Sequence, residues 1–161
     1  MEEFQSTLQT AKNKLKVADH MFVMTYPLVK DPKLLLAVVE NIFQAFEKGM
    51  SSLLYYERLF KRIPLFQETF ESKFNMFRDK LVPKFKIDEE HIKVMRNLKE
   101  ILLEHKKSPI EFSRKDRFVI CSENYRMKTI SKDDIKKYIF KAKLFVSDIE
   151  RLVSRDGRIF K

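Results

Sequence analysis

Basic side chains gather between residues 114 and 128, in a pattern that suits contact with a phosphate backbone. The basic residues of this segment are Arg114, Lys115, Arg117, Arg126 and Lys128, and Tyr125 is the aromatic residue beside them. Arginine and lysine neutralise phosphate charge, while an aromatic ring can stack on an unpaired base. In an extended strand, alternation would place Tyr125 on one side and Arg126 and Lys128 on the other. The segment therefore predicts a basic hairpin that positions phosphates with little base-specific readout.

Three lysines further along the chain extend this pattern. Lys132, Lys136 and Lys143 fall within roughly 40° of one another on a helix that turns by about 100° per residue. They would continue the basic surface of the hairpin. A second interpretation stays open for both groups, because charged residues also protect strand edges and lysine stems cover the margin of an apolar helix face.

The charge of the chain is strongly polarised. Residues 106–161 contain 16 Lys and Arg against 8 Asp and Glu, whereas residues 1–105 contain 17 against 15. About +8 of the formal net charge of +10 therefore belongs to the last third of the chain. A distribution of this kind favours an anionic partner, either a nucleic acid or an acidic protein.

Residue types that carry catalysis or bind metals are scattered. His20, His91 and His105 are too far apart in sequence for a local metal site, since 14 helical residues separate the last two by about 21 Å. The single Cys121 sits in an apolar stretch, where it is expected to be a small buried residue. Adjacent acids such as Asp133 and Asp134 fall at predicted helix starts, where they favour the helix dipole. We therefore expect no catalytic residue, no metal and no cofactor.

The elements that position the basic residues are expected to be helices. The chain has 161 residues, 15 Phe, 2 Gly and 5 Pro, which predicts one domain over 1–161 with a large aromatic core, a basic part from about 106 and few tight turns. A single thiol, an acidic N-terminus and the lack of a long apolar run predict a cytoplasmic protein without a membrane segment.

Hydrophobic spacing predicts five helices. The first would end before Tyr26-Pro27, the second would open at Asp31 and form the apolar centre, and the third would run from Phe66 to Leu81 and stop before Pro83. Asp88 would cap the fourth. The fifth would begin at Ser131, with an inward face of Ile135, Ile139, Ala142, Val146, Ile149 and Val153.

Two short strands are predicted between the fourth and fifth helices. Residues 118–121 and 125–130 change to strand-like patterning, and Ser122, Glu123 and Asn124 would form the turn. The expected fold is therefore mainly α, a five-helix bundle with a small β-hairpin inserted before the last helix.

The order of these elements resembles the HEPN superfamily of small helical bundles. The likeness is carried by AKNKLKVADHMF (residues 11–22), VVENIFQAFEKGMSSLLYYE (38–57) and DDIKKYIFKAKLFVSDIERLV (133–153), about a third of the chain. Nuclease members carry an Arg, a polar neighbour and a His four to six residues on. Here Arg96 and His105 have eight residues between them, which departs from that motif. The resemblance thus implies a binding or partner module, frequently a homodimer, rather than a standard RNase.

We expect a non-catalytic protein that binds nucleic acid, RNA rather than DNA, through its basic C-terminal part. The alternative is a protein-interaction module, a homodimer or partner-docking bundle, in which charge serves solubility. A HEPN-type RNase that uses Arg96 and His105 is the third hypothesis.

Overall fold

A long apolar helix occupies the centre of the protein, and the other elements are arranged around it. The computed structural model describes residues 1–107, 110–114, 117–121 and 127–155. The elements are α1 (Glu3–His20), a π-helical turn (Met21–Thr25), α2 (Tyr26–Val29), α3 (Pro32–Leu59), α4 (Phe70–Met76), a second π-helical turn (Phe77–Leu81), α5 (Val82–Phe85), α6 (Glu89–Lys107), β1 (Ile110–Arg114), β2 (Arg117–Cys121), β3 (Met127–Ser131) and α7 (Lys132–Val153). The predicted mainly α bundle is confirmed, and its five principal helices among the described residues are α1, α3, α4, α6 and α7.

The central helix is α3, which packs against α1, α4, α6, α7 and β2. Its start is fixed by Asp31, whose carboxylate accepts a hydrogen bond of 3.0 Å from the Lys33 amide. Apolar side chains on several of its faces are fully buried, as expected for a helix with neighbours on all sides. No helix within the described ranges has both the length and the hydropathy needed to cross a membrane.

Two prolines lie inside helical backbone, so the prediction that helices stop before Pro27 and Pro83 is wrong. Just before each proline the helix widens into a π turn, in which the amide of Tyr26 or Val82 donates to a carbonyl five residues back. A proline ring clashes with the carbonyl four residues earlier in an α-helix, and the wider turn accommodates it. The helix then continues for one more turn.

The third helix also differs from its predicted start. Helical backbone begins at Phe70 rather than Phe66, because the Thr69 hydroxyl caps it by accepting a hydrogen bond of 3.2 Å from the Ser72 amide. Phe66 precedes the helix and stacks on Tyr55, with 6.2 Å between ring centroids. Aromatic spacing alone did not separate this surface contact from the helix that follows.

A three-stranded antiparallel sheet, in the order β1–β2–β3, follows α6 and precedes α7 along the chain. The predicted hairpin corresponds to β2 and β3, and β1 was not predicted. Val119 and Ile130 are buried. The sheet leans on the helices, since β2 contacts α3 and α6 while β3 contacts α7. The predicted turn, residues 122–124, lies outside the described residues.

Two buried charged side chains tie the shorter helices to α3. Glu57 has no exposed surface, and its carboxylate accepts a hydrogen bond of 2.6 Å from Lys84 of α5 and another from Arg62. Lys73 of α4 is likewise buried, with its Nζ 2.9 Å from a carboxylate oxygen of Glu47. A buried charge is costly unless it is paired, so these contacts fix where α4 and α5 lie.

Candidate nucleic-acid interface

The predicted basic surface includes α7. Its first turn is held by a capping box: the Asp134 amide donates to the Ser131 hydroxyl at 3.1 Å, and the Ser131 amide donates to the Asp134 carboxylate at 2.9 Å. The predicted inward stripe is buried in full: Ile135, Ile139, Ala142, Val146, Ile149 and Val153. Because that stripe faces the bundle, the opposite side of α7 faces solvent.

The three predicted lysines all lie on the exposed side of α7. Lys132 and Lys136 form no ion pair with any residue in the described part of the chain. Lys143 is partly engaged, since its Nζ lies 3.3 Å from an Asp19 carboxylate oxygen on α1. Lys132 and Lys136 can therefore bind an external anion directly. Lys143 would have to give up its contact with Asp19 to do so.

Phe140 is exposed among these lysines, and sequence reasoning missed it. Its side chain keeps 62% of its surface accessible, and Leu144, one turn further on, keeps 47%. Lys136 precedes Phe140 by four residues and Lys143 follows by three, so all three side chains lie on one helix face. The sequence did indicate that Phe140 is exposed, because position 140 falls about 100° away from the inward stripe that contains Ile139.

Ion pairs on both sides hold α7 in place. Lys141 reaches Glu90 of α6 at 3.2 Å, and Lys143 reaches Asp19 of α1 at 3.3 Å. Near the other end, Lys12 of α1 pairs with Glu150 at 2.7 Å. The exposed face is therefore carried by a helix that is fixed between two neighbours and buried along its inner side.

The sheet brings two of the predicted arginines to the start of α7. Arg114 and Arg117 are paired across β1 and β2, and Arg117 is paired with Ser131 across β2 and β3. Lys132 follows Ser131 directly, so three basic positions meet there. Lys128 is paired with Ile120, three residues along β2 from Arg117, which places it about 10 Å away. Lys115, Tyr125 and Arg126 lie outside the described residues.

The residues of the RNase hypothesis are not brought together within the chain. Arg96 lines a cleft beside α5, whereas His105 lines a different cleft between α3 and α6. His91 is buried against Phe46 and Phe145, and its Nδ1 has no hydrogen-bond partner in the part of the chain that the structure describes. Among the described residues, no group of three or more His, Cys, Asp or Glu side chains is close enough to hold a metal ion.

Comparisons of the chain with protein-family models, with curated proteins and with solved structures find no match.

Proposed function

We propose that the protein binds single-stranded nucleic acid, RNA in preference to DNA, through the exposed face of α7 and the adjoining sheet, without catalysing a reaction. The observation that carries the proposal is Phe140, an exposed ring on a rigid helix with Lys136 and Lys143 on either side. Exposed aromatic rings between cations are the elements with which proteins hold unpaired bases and their phosphates. The net charge of about +8 over residues 106–161 supplies the wider attraction.

The exposed ring of Phe140 favours binding to single strands over binding to duplexes. A ring can stack only on a base whose face is free, and such bases are found in single strands, loops and ends. Lysines contact phosphates as point charges and read no sequence, so affinity should depend weakly on base order and strongly on salt. The resemblance to the HEPN superfamily fits a binding module of this kind and favours RNA, and the single thiol fits a cytoplasmic location.

Charge reversal at Lys132 and Lys136 tests the electrostatic part of the proposal. Neither residue is ion-paired within the described part of the chain, so the double variant Lys132→Glu/Lys136→Glu should fold normally. We expect fluorescence anisotropy with labelled single-stranded RNA to show weaker binding and a log–log salt slope shallower by about 1.4, because each phosphate contact on a single strand contributes about 0.7. Lys80→Glu, on the second π-helical turn, is the control away from this face, and it is compared with the single variant Lys136→Glu, which carries the same change in charge.

Phe140→Ala tests the stacking part separately. The loss of one base–aromatic stack should weaken binding by about 1–3 kcal/mol and leave the salt slope unchanged. Leu144→Ala removes a neighbouring exposed apolar side chain without a ring and should have little effect. Equal affinities for Lys80→Glu and Lys136→Glu would contradict the proposal.

The second candidate is a protein-interaction module, and the end of the molecule formed by α2 favours it. Leu28 is 87% exposed and Val29 is 59% exposed at this end, far from the lysines of α7 in sequence. If the RNA titration shows no binding even at low salt while light scattering shows a homodimer that Leu28→Ser dissociates, this candidate replaces the first.

A further inference from the structure

A second basic surface is formed by residues from the nearly neutral segment 1–105. The charge distribution along the sequence did not predict it. A cleft of about 550 Å³ opens between α5 and α6. Its floor is apolar, formed by the buried side chains of Val82, Ile87 and Ile92. Four basic residues line the cleft together with a single acidic one, Glu89: the four are Arg78, Lys86, Lys93 and Arg96.

Two of these arginines share one aromatic support. The guanidinium carbon of Arg78 lies 5.8 Å from the ring centroid of Phe74, and that of Arg96 lies 5.6 Å from the same centroid. Phe74 is buried, so the ring is a fixed base for both cations. Because Arg78 and Arg96 also line the same cleft, an anion bound there would be attracted by both guanidinium groups.

The cations are only partly neutralised by the protein. Arg78 pairs with its neighbour Asp79 at 2.9 Å, and Lys93 pairs with Glu90 at 3.4 Å. Arg96 and Lys86 have no carboxylate partner in the described part of the chain. Donors therefore remain for an incoming phosphate, which planar guanidinium groups bind in a bidentate manner.

A second, smaller cleft of about 280 Å³ lies next to the first. Arg78 and Arg96 line both clefts, and the second also has Phe70, Phe74 and Leu103 in its wall. An anionic group and an apolar group can thus be accommodated side by side. Each of the two spaces is near or within the size range of pockets for small organic ligands.

This site is separate from the α7 face. Glu90 marks the side of α6 that faces α7, because it pairs with Lys141. Arg96, six residues later, lies about 120° further around the helix. A ligand in the clefts therefore does not touch the lysines around Phe140.

We propose that the paired clefts bind a small phosphate ester with an aromatic or apolar body, of the nucleoside diphosphate class. The phosphates lie on the side of Arg78, Arg96, Lys86 and Lys93, and the ring packs against the wall that contains Phe70 and Leu103. The phosphorylated end of a nucleic-acid strand carries the same chemistry and is the second source of such a group.

Isothermal titration calorimetry with ADP, pyrophosphate and adenosine tests this proposal. We expect ADP to bind with one-to-one stoichiometry, pyrophosphate to bind more weakly and adenosine to give no measurable heat, because the phosphate contacts are charge-assisted. Arg96→Gln and Lys86→Gln change exposed side chains and should each lower ADP affinity, with Arg96→Gln lowering it about tenfold. A phosphorylated dinucleotide that competes better than ADP would identify a strand end as the source; weaker competition would identify a free nucleotide.

Two control variants make the result specific. Lys16→Gln removes an exposed cation of α1 that lines neither cleft, and Lys136→Gln removes one from the α7 face; both should bind ADP as the unaltered protein does. The proposal is overturned if ADP does not bind, or if Arg96→Gln and Lys86→Gln bind it with unchanged affinity. Since neither variant alters α7, binding of single-stranded RNA without a terminal phosphate should persist in both, so the two proposals can fail independently.

Discussion

Gly49 shows how one missing methyl group sets the distance between two helices. It lies in the middle of α3, and a Cβ added there would come within 3.0 Å of Cε2 of Phe145 on α7. Phe145 is fully buried and packs on Phe46 and Phe77, so its ring has little room to move. The helix that carries the candidate interface is held close to the core by this contact.

We expect Gly49→Ala to destabilise the protein, although alanine is the better helix former. The propensity gain is about 1 kcal/mol, whereas overpacking a tight core costs about 1–3 kcal/mol. Urea denaturation should therefore show a net loss on the order of 1 kcal/mol. In a Phe145→Leu background, where the clash is relieved, the same substitution should cost less or become favourable. Additive effects of the two changes would contradict this account.

His91 should make stability depend on pH. It is 4% exposed, and burial is the main factor that lowers its pKa below the ordinary value, with Lys141 acting in the same direction and Asp88 and Asp148 opposing it. The unfolded chain, with a His pKa of about 6.5, therefore binds the proton more readily than the folded protein. The stability contributed by neutral His91 is complete above that pH. It is lost as the pH falls from there through the lowered folded value.

The measurement is chemical denaturation of the unaltered protein and of His91→Gln from pH 7.5 down to pH 5. Glutamine does not titrate, so the variant should lose less stability over this range. If the two proteins lose the same amount, other groups are responsible for the pH dependence.

At the scale of the element, two helices end with the same succession of backbone conformations. A π turn precedes Pro27 and Pro83, one helical turn follows, and a lysine in the left-handed conformation ends it, with φ of 53° at both Lys30 and Lys86. A left-handed conformation is strained for any residue with a Cβ. Asp31 and Asp88 then begin the next helix. Both helix-to-helix connections therefore turn the chain within a few residues.

Lys30→Gly should stabilise the protein by about 1 kcal/mol, because glycine adopts positive φ without the Cβ penalty. Lys30 is exposed and outside both candidate sites. Thermal or urea unfolding measures the effect. Lys30→Ala is the matched control and should bring no comparable gain, since it removes the long side chain and keeps the Cβ.

These elements also show where sequence patterns succeed and fail. Residues 132–153 were predictable because a capping signal at Ser131 and a regular apolar stripe agree with each other. The helix ends predicted at Pro27 and Pro83 were wrong, because the helix accommodates each proline by widening into a π turn just before it. Sequence rules treat proline as a helix breaker and do not predict this widening. The missed strand β1 has apolar Ile110 and Phe112 in alternation, a signal that was too short to stand alone.

The candidate interface was only partly predictable for a related reason. Charge patterning identified Lys132, Lys136 and Lys143, since charge belongs to the residue itself. Phe140 was missed although it lies off the predicted inward stripe, because a phenylalanine in a Phe-rich chain is assigned to the core by default. The cleft at Arg78 and Arg96 joins residues from two elements that no sequence window contains together.

At the scale of the whole molecule, one continuous core joins all five principal helices and the sheet. α3 is enclosed by its neighbours, whereas, among the described residues, β1 and β3 are the edge strands of the sheet and are each paired on one side only. Backbone amides on the open side of an edge strand have no partner strand. The protection of backbone amides should therefore differ between α3 and the two edge strands.

Hydrogen exchange measured by mass spectrometry should show this difference. Peptides from the middle of α3, around Val38 to Leu54, should exchange slowest, and peptides covering β1 and β3 should exchange much faster. Addition of single-stranded RNA should slow exchange in β3 and in the first turns of α7. Uniform protection across α3 and the two edge strands would contradict this expectation.

The contact between α1 and α7 has a consequence for the order in which the chain acquires its structure. Lys12 and Glu150, whose side chains meet at 2.7 Å, are separated by 138 residues. During synthesis, α1 and α3 leave the ribosome long before α7, so they can pair as a hairpin while the surface that α7 later covers is still open. That surface includes Gly49. Because α7 is made after α1, α3, α4 and α6, it completes their shared core and at the same moment presents Phe140 to solvent. The candidate interface therefore exists only once these helices have packed together.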